Sequence, residues 1–260
     1  VYLEHGVTIY HADALSIHDN FIAECGSCIE LRGWGQASKV TDNLLGAGYK
    51  GYTIFAQNFG GLLITANNVF PRGMSSVHFD CVARSTVTGN RFHSFYPGML
   101  ILEKNCSENL ISSNHFYRSC EPWVPLKGVD NGLDDQYGIL YISGNNNSVI
   151  GNHFSEIIDE ENIRPVGTKP VILHVAEGTG NYIATNHIVA VTEAAQPEDA
   201  ESCFSTQVEA MLSTDHSEPI NVIAVKVENR AEKNVILDSG NDDQVILDRK
   251  ANAFRPTPQI

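Results

Sequence analysis

Two carboxylates, Asp13 and Glu24, stand eleven residues apart near the start of the 260-residue chain. Paired carboxylates suit chemistry at a glycosidic bond. One carboxylic acid protonates the departing oxygen, while the other, ionised, takes a proton or stabilises positive charge at the anomeric carbon. Spacing alone says little, because 31 acidic residues make many such pairs, and the bland alternative is two solvated turn residues. The stronger reason to single these two out comes from the elements that must carry them.

Those elements repeat. An aliphatic residue, two mostly small or polar residues and an asparagine recur at Ile17–Asn20, Val40–Asn43, Ile64–Asn67, Val87–Asn90, Ile111–Asn114, Val149–Asn152 and Ile183–Asn186. The asparagines are 23, 24, 23, 24, 38 and 34 residues apart, so the last two intervals are one coil plus an inserted loop. Short β-branched or alternating runs, such as Leu15–Ile17, Tyr52–Phe55 and Ile139–Ile142, are bounded by Gly and Asn. No LxxLxL frame or helical pattern intervenes, so an all-β solenoid fits better than a leucine-rich repeat. Asparagine suits such a turn because it tolerates the left-handed conformation and its amide can bond to the same group one coil away. His18, His93, His115, His153 and His187 flank this turn and read as scaffold rather than ligands.

The repeat also provides an internal control: a residue that departs from its equivalents in other coils is not there for the scaffold. Seven positions before each asparagine stand Asp13, Gln36, Gly60, Ala83, Ser107, Asn145 and Thr179, of which the first alone is charged. Four positions after it stand Glu24, Ala47, Pro71, Ser94, Arg118, Glu156 and Ala190, with two carboxylates. Arg32, Trp34, Arg72, His78, Asp80 and Glu103 are further candidates for binding a sugar by stacking or hydrogen bonding. Asp134 and Asp135 lie in the first inserted loop, and long loops on rigid scaffolds often carry function.

Residues 1–193 are expected to form the solenoid, and 194–260 a C-terminal cap with a short helix over Pro197–Leu212 followed by strands around residues 223–227, 234–238 and 244–248. The chain opens in strand-like sequence, which predicts that N-terminal coils precede it or come from another fragment. A net charge of -14 argues against nucleic acid as a partner, and no apolar run is long enough for a membrane helix. The six cysteines are too sparse for a disulfide framework, and Cys25-Gly-Ser-Cys28 has no second pair to make a zinc site, so buried thiols are expected.

The stretch Tyr2–Leu31, together with Pro71-Arg72-Gly73 through Ser76-Val77-His78-Phe79, Thr88–Arg91, His93–Gly98 and Gly132–Gly138, resembles the inulin fructotransferases, which form difructose anhydrides. The likeness covers roughly residues 1–190. It implies a right-handed parallel β-helix, a homotrimer with active sites at subunit boundaries, and a secreted enzyme acting on extracellular inulin. It also implies an Asp and a Glu eleven residues apart as catalytic pair, a spacing that Asp13 and Glu24 match. The reaction it implies is intramolecular fructosyl transfer, which needs no metal or organic cofactor. The alternatives are a difructose anhydride hydrolase, another β-helix polysaccharide lyase or hydrolase, and a non-catalytic β-helix that only binds glycans.

Overall fold

The computed structural model describes residues 3–46, 48, 51–71, 75–94, 97–118, 137–159, 171–193, 222–238, 245–246 and 254–256. Their strands fall into three sheets of 10, 7 and 9 strands in which the chain advances one strand per coil. Sheet A holds the long strands, among them Leu3–Tyr10, Cys25–Arg32, Tyr52–Gly60, Ser75–Ala83 and Val171–Thr179. Sheet B holds three-residue strands such as Ser16–His18 and Lys39–Thr41, and sheet C begins with Phe21–Ala23 and Leu44–Gly46. Neighbouring strands are parallel, as successive coils of one winding must be. The chain is a right-handed parallel β-helix.

Strand alternation fills the interior. Ile29, Ile54, Val77, Leu100, Leu140, Leu173 and Val225 stack in register along sheet A, all buried. On sheet C, Phe92, Phe116 and Phe154 stack face to face with centroids 4.7 and 4.8 Å apart. Cys25, Cys28 and Cys106 are buried thiols; burial and the adjacent Cys25 push Cys28 far up, and burial raises Cys106 to about 11.

The repeated asparagines form a ladder between sheets B and C. Each side-chain Oδ1 accepts from the backbone N and Nδ2 of the asparagine one coil earlier, at 3.0 Å for Asn43, Asn67 and Asn90. The left-handed conformation expected of the asparagine belongs instead to the residue before it: Asp19, Asp42, Ala66, Gly89, Ser113, Gly151 and Thr185 all have φ of 54–64°. The division of labour has a physical cause. The asparagine must be buried to reach its neighbours, whereas the corner residue is exposed and varies freely.

A second ladder lies between sheets A and B. Asn109, Asn147, Asn181 and Asn234 link in the same way, and Ser38 and Ser85 accept backbone N–H groups in earlier coils. Beyond the first 193 residues, Val222–Glu232 pairs with Val171–Thr179 and Val235–Asp238 with Tyr182–Ala184, so these strands lengthen sheets A and B. The helix expected over Pro197–Leu212 lies outside the described residues.

Candidate active site

The outer side of sheet A collects four of the described candidate residues, Arg32, His78, Asp80 and Glu103. Strand register aligns Glu30, Phe55 and His78 in one row, and in the next outward row it pairs Tyr10 with Arg32 and Gln57 with Asp80, with Arg32 and Glu103 each one residue past the paired Leu31 and Leu102. Arg32, His78, Asp80 and Glu103, far apart in sequence, are thus brought together over four coils. His78 Nε2 lies 3.1 Å from Glu103 Oε1, and Gln57 Nε2 donates to Asp80 Oδ2 at 2.8 Å.

Arg32 is held from two sides. Its Nε donates to Glu30 Oε2 at 2.8 Å, and its guanidinium carbon sits 4.6 Å from the centroid of the Phe55 ring. Glu30 is buried, and His5 Nδ1 lies 3.6 Å from its other oxygen. Burial raises the Glu30 carboxyl pKa, but hydrogen bonds from Arg32 and Ser27 and the charges of Arg32 and His5 outweigh it, leaving the group below the ordinary range. Tyr52, Phe55 and His78 contact one another with centroids 4.7 to 5.7 Å apart, giving an aromatic floor beside the charged row.

Sequence reasoning passed over Glu30, Gln57, Tyr52 and Phe55. The signal available was Glu30 itself, a carboxylate between Ile29 and Leu31 in a core strand, since such a charge is buried only with a partner.

Trp34 is presented by a bulge. Between Leu31 and Gly35 there are four residue steps, against three between their partners Ala56 and Phe59, so one extra residue projects. The glycines on either side permit it. Gly33 has φ of 81° and a Cβ there would meet the His11 ring at 2.7 Å, while one at Gly35 would meet Phe59 and the Ala12 carbonyl. Trp34 is 59% exposed and its ring centroid is 6.1 Å from that of His11.

Asp13 lies at the same corner, bridged to Gln36 in register with Gly60 and Ala83, which matches the column read from the repeat. Asp13, Trp34 and the Arg32 row therefore share one end of the sheet A face. Asp13 is exposed.

Glu24 lies at the opposite end. It immediately precedes Cys25, which pairs with Leu3 at the start of the strand whose far end leads to Asp13. The run Leu3–Tyr10 spans roughly 23 Å at about 3.3 Å per residue. Two carboxylates acting on one glycosidic bond stand about 5 to 10 Å apart. A single chain therefore does not bring this pair together.

Glu24 nonetheless differs from its column. The other carboxylate there, Glu156, has a structural explanation: it is buried and bonded to buried Arg118, Oε2 to Nε 2.6 Å. Glu24 is exposed and has φ of 55°, a conformation that Pro71, Ser94, Arg118 and Glu156 do not share. A non-glycine residue in that region costs roughly 1 to 2 kcal/mol, a strain that the scaffold does not require in the other described coils. Arg72, Asp134 and Asp135 lie outside the described residues. Among the described residues no group of three or more His, Cys, Asp or Glu could hold a metal ion.

A family model described as the beta helix repeat of inulin fructotransferase matches residues 113–258. The inulin fructotransferase (DFA-I-forming) of Arthrobacter globiformis is 45% identical over 190 residues, 73% of this chain and 47% of that protein. Crystal structures of DFA-IIIase from Arthrobacter chlorophenolicus A6, alone and in complex with DFA-III, superpose with a TM-score of 0.85 at 61% identity, covering 99% of this chain and 58% of theirs. The chain thus spans about half the length of the relatives it matches.

Proposed function

The chain belongs to the inulin fructotransferase family, and on that premise we propose that it acts on the end of an inulin chain and releases a cyclic difructose anhydride. A hydroxyl of the terminal fructosyl unit attacks the anomeric carbon of its neighbour. The new C–O bond forms as the bond to the rest of the chain breaks, one carboxylic acid protonates the leaving oxygen, and the other carboxylate takes the proton of the attacking hydroxyl. No water is consumed. Holding two rings face to face supplies the effective molarity that lets the hydroxyl outcompete solvent.

In this reading Arg32, Trp34, His78, Asp80 and Glu103 bind the fructosyl units, with Arg72, Asp134 and Asp135 as further contacts. Asp13 is the base or oxocarbenium-stabilising carboxylate and Glu24 the acid. The observation that supports it most is the convergence of Asp13, the bulged Trp34 and the Arg32 row at one end of sheet A. Because Asp13 and Glu24 occupy opposite ends of the long face, the complete site forms between copies, the Asp13 corner of one meeting the Glu24 corner of the next. A homotrimer, secreted to meet its polymer, closes such contacts.

A second reading has water as the acceptor, opening the cyclic product instead of forming it. The higher identity to DFA-IIIase crystallised with DFA-III, 61% against 45%, favours it. Incubation with inulin, and separately with a difructose anhydride, distinguishes the two by product mass. A product one water lighter than a fructose disaccharide supports transfer, and opening of the anhydride supports hydrolysis. Asp13→Asn and Glu24→Gln should each lose at least a hundredfold in turnover. Mixing the two inactive variants should restore up to about a quarter of parent activity, because random assembly gives that share of boundaries two intact carboxylates. A mixture as inactive as its components would overturn the shared site.

A further inference from the structure

The outer side of sheet C carries a histidine column that the proposed reaction does not use. Register places Arg91, His115, His153 and His187 on successive coils. The rings of His115 and His153 lie 5.0 Å apart and those of His153 and His187 4.8 Å apart, centroid to centroid. His153 and His187 also bring their Nδ1 atoms to 3.1 Å.

We infer that His153 and His187 form a two-imidazole chelate for a divalent transition metal such as Ni²⁺, Cu²⁺ or Zn²⁺, with water completing the coordination. Two nitrogens 3.1 Å apart, each about 2.05 Å from a common metal, subtend an angle of roughly 98° there, between octahedral and tetrahedral values. Parallel strands fix this spacing, since the coil repeat holds the two backbones one strand apart whatever the side chains do. His187 is exposed and His153 half-buried, so an ion and its waters have access from solvent.

Metal binds the neutral imidazole, so protons compete with it. The described neighbours Ser155 and Tyr117 bring no carboxylate to the column, which favours borderline metals over Ca²⁺ or Mg²⁺. Without metal the same contact is an N–H···N hydrogen bond in which one ring donates to the other.

Bound metal would clip two coils separated by 34 residues in sequence, removing loop entropy from the unfolded chain. Calorimetric titration of the chain with NiCl₂ and with ZnCl₂ at pH 7.5 tests it. One site is expected, weakened at least tenfold in His187→Asn and at pH 5, and kept in His18→Asn. The unfolding midpoint should rise with Ni²⁺ in the parent but not in His187→Asn, and MgCl₂ should do nothing. Turnover on inulin should be unchanged in His187→Asn, because the column lies on a different sheet from the Arg32 row. Absence of binding up to millimolar Ni²⁺ and Zn²⁺, or equal binding by His187→Asn, would overturn the chelate and leave only the ring-to-ring hydrogen bond.

Discussion

Replacing Asn90 by alanine tests what holds the coils in register. Its Oδ1 accepts from Asn67 N and Asn67 Nδ2, each at 3.0 Å, and its Nδ2 donates to Ile64 O, Thr88 O and Asn114 Oδ1 at 3.0 to 3.1 Å. Asn67 Nδ2 keeps its bonds to Val40 O and Thr65 O, but the buried Asn67 N–H loses its acceptor. One orphaned buried donor costs about 1 to 3 kcal/mol, and the loss of two or three further bonds about 1 kcal/mol each. A destabilisation of roughly 3 to 6 kcal/mol is expected, a large share of the ~5 to 15 kcal/mol typical of a domain. Asn20 supplies the control, because it is exposed and, among the described residues, its amide donates only to His18 O and Asn43 Oδ1. Asn20→Ala should cost about 1 kcal/mol or less. Asn90→Asp sharpens the test: it keeps an acceptor but turns a second oxygen towards three oxygens, so it should lose at least as much as alanine at pH 7 and recover part on acidification. Urea unfolding followed by circular dichroism, with m-values compared, measures all three. A gap between Asn90→Ala and Asn20→Ala below about 1 kcal/mol would refute the ladder as the source of register.

Other perturbations give distinct readouts. Gly33→Ala places a methyl against the His11 ring in a left-handed conformation, so it should cost at least about 2 kcal/mol and raise KM through displacement of Trp34, measured by unfolding and inulin kinetics. Ala66→Gly relieves the left-handed strain at an exposed corner and should stabilise by up to about 1 kcal/mol, seen as a higher unfolding midpoint. His93 should make stability depend on pH: its folded pKa of about 4 is below the 6.5 of the free group, so the unfolded chain binds the extra proton between these values. Its contribution is complete above pH 6.5 and lost as pH falls towards 4, by up to about 2 kcal/mol after allowance for partial exposure. His93→Gln should flatten that part of the midpoint-against-pH curve, and an unchanged slope would exclude His93 as its cause.

The architecture was legible because its ladder demands one asparagine per coil at a fixed place. The second ladder was not, because early coils use Ser38 and Ser85, or apolar Leu62, where later ones use Asn109, Asn147, Asn181 and Asn234, and the period is diluted. The column comparison singled out Asp13 without an alignment, and residue type did the same for Arg32, His78, Asp80 and Glu103. What positions them was hidden: Glu30 and Phe55 fix Arg32 through register across coils, and no spacing along the chain encodes that register alone. The projection of Trp34 was written in its two flanking glycines, but only the step count against the next coil shows the bulge.

The distance between Asp13 and Glu24 carries the most consequence for mechanism. Eleven residues is about half a coil, and half a turn of a solenoid leads to the far end of its long face, so closeness in sequence becomes separation in space. Neither residue serves the scaffold visibly: the column of Asp13 is otherwise uncharged, and Glu156 in the column of Glu24 has Arg118 to neutralise it. In the proposed function both exposed carboxylates act across the contact between copies. A proposed site closed between two copies would also exclude water, which decides whether the fructosyl unit is captured by its own neighbour's hydroxyl or by solvent. On this argument loosening the contact between copies, without touching either carboxylate, should shift products from the anhydride towards hydrolysis before it abolishes turnover.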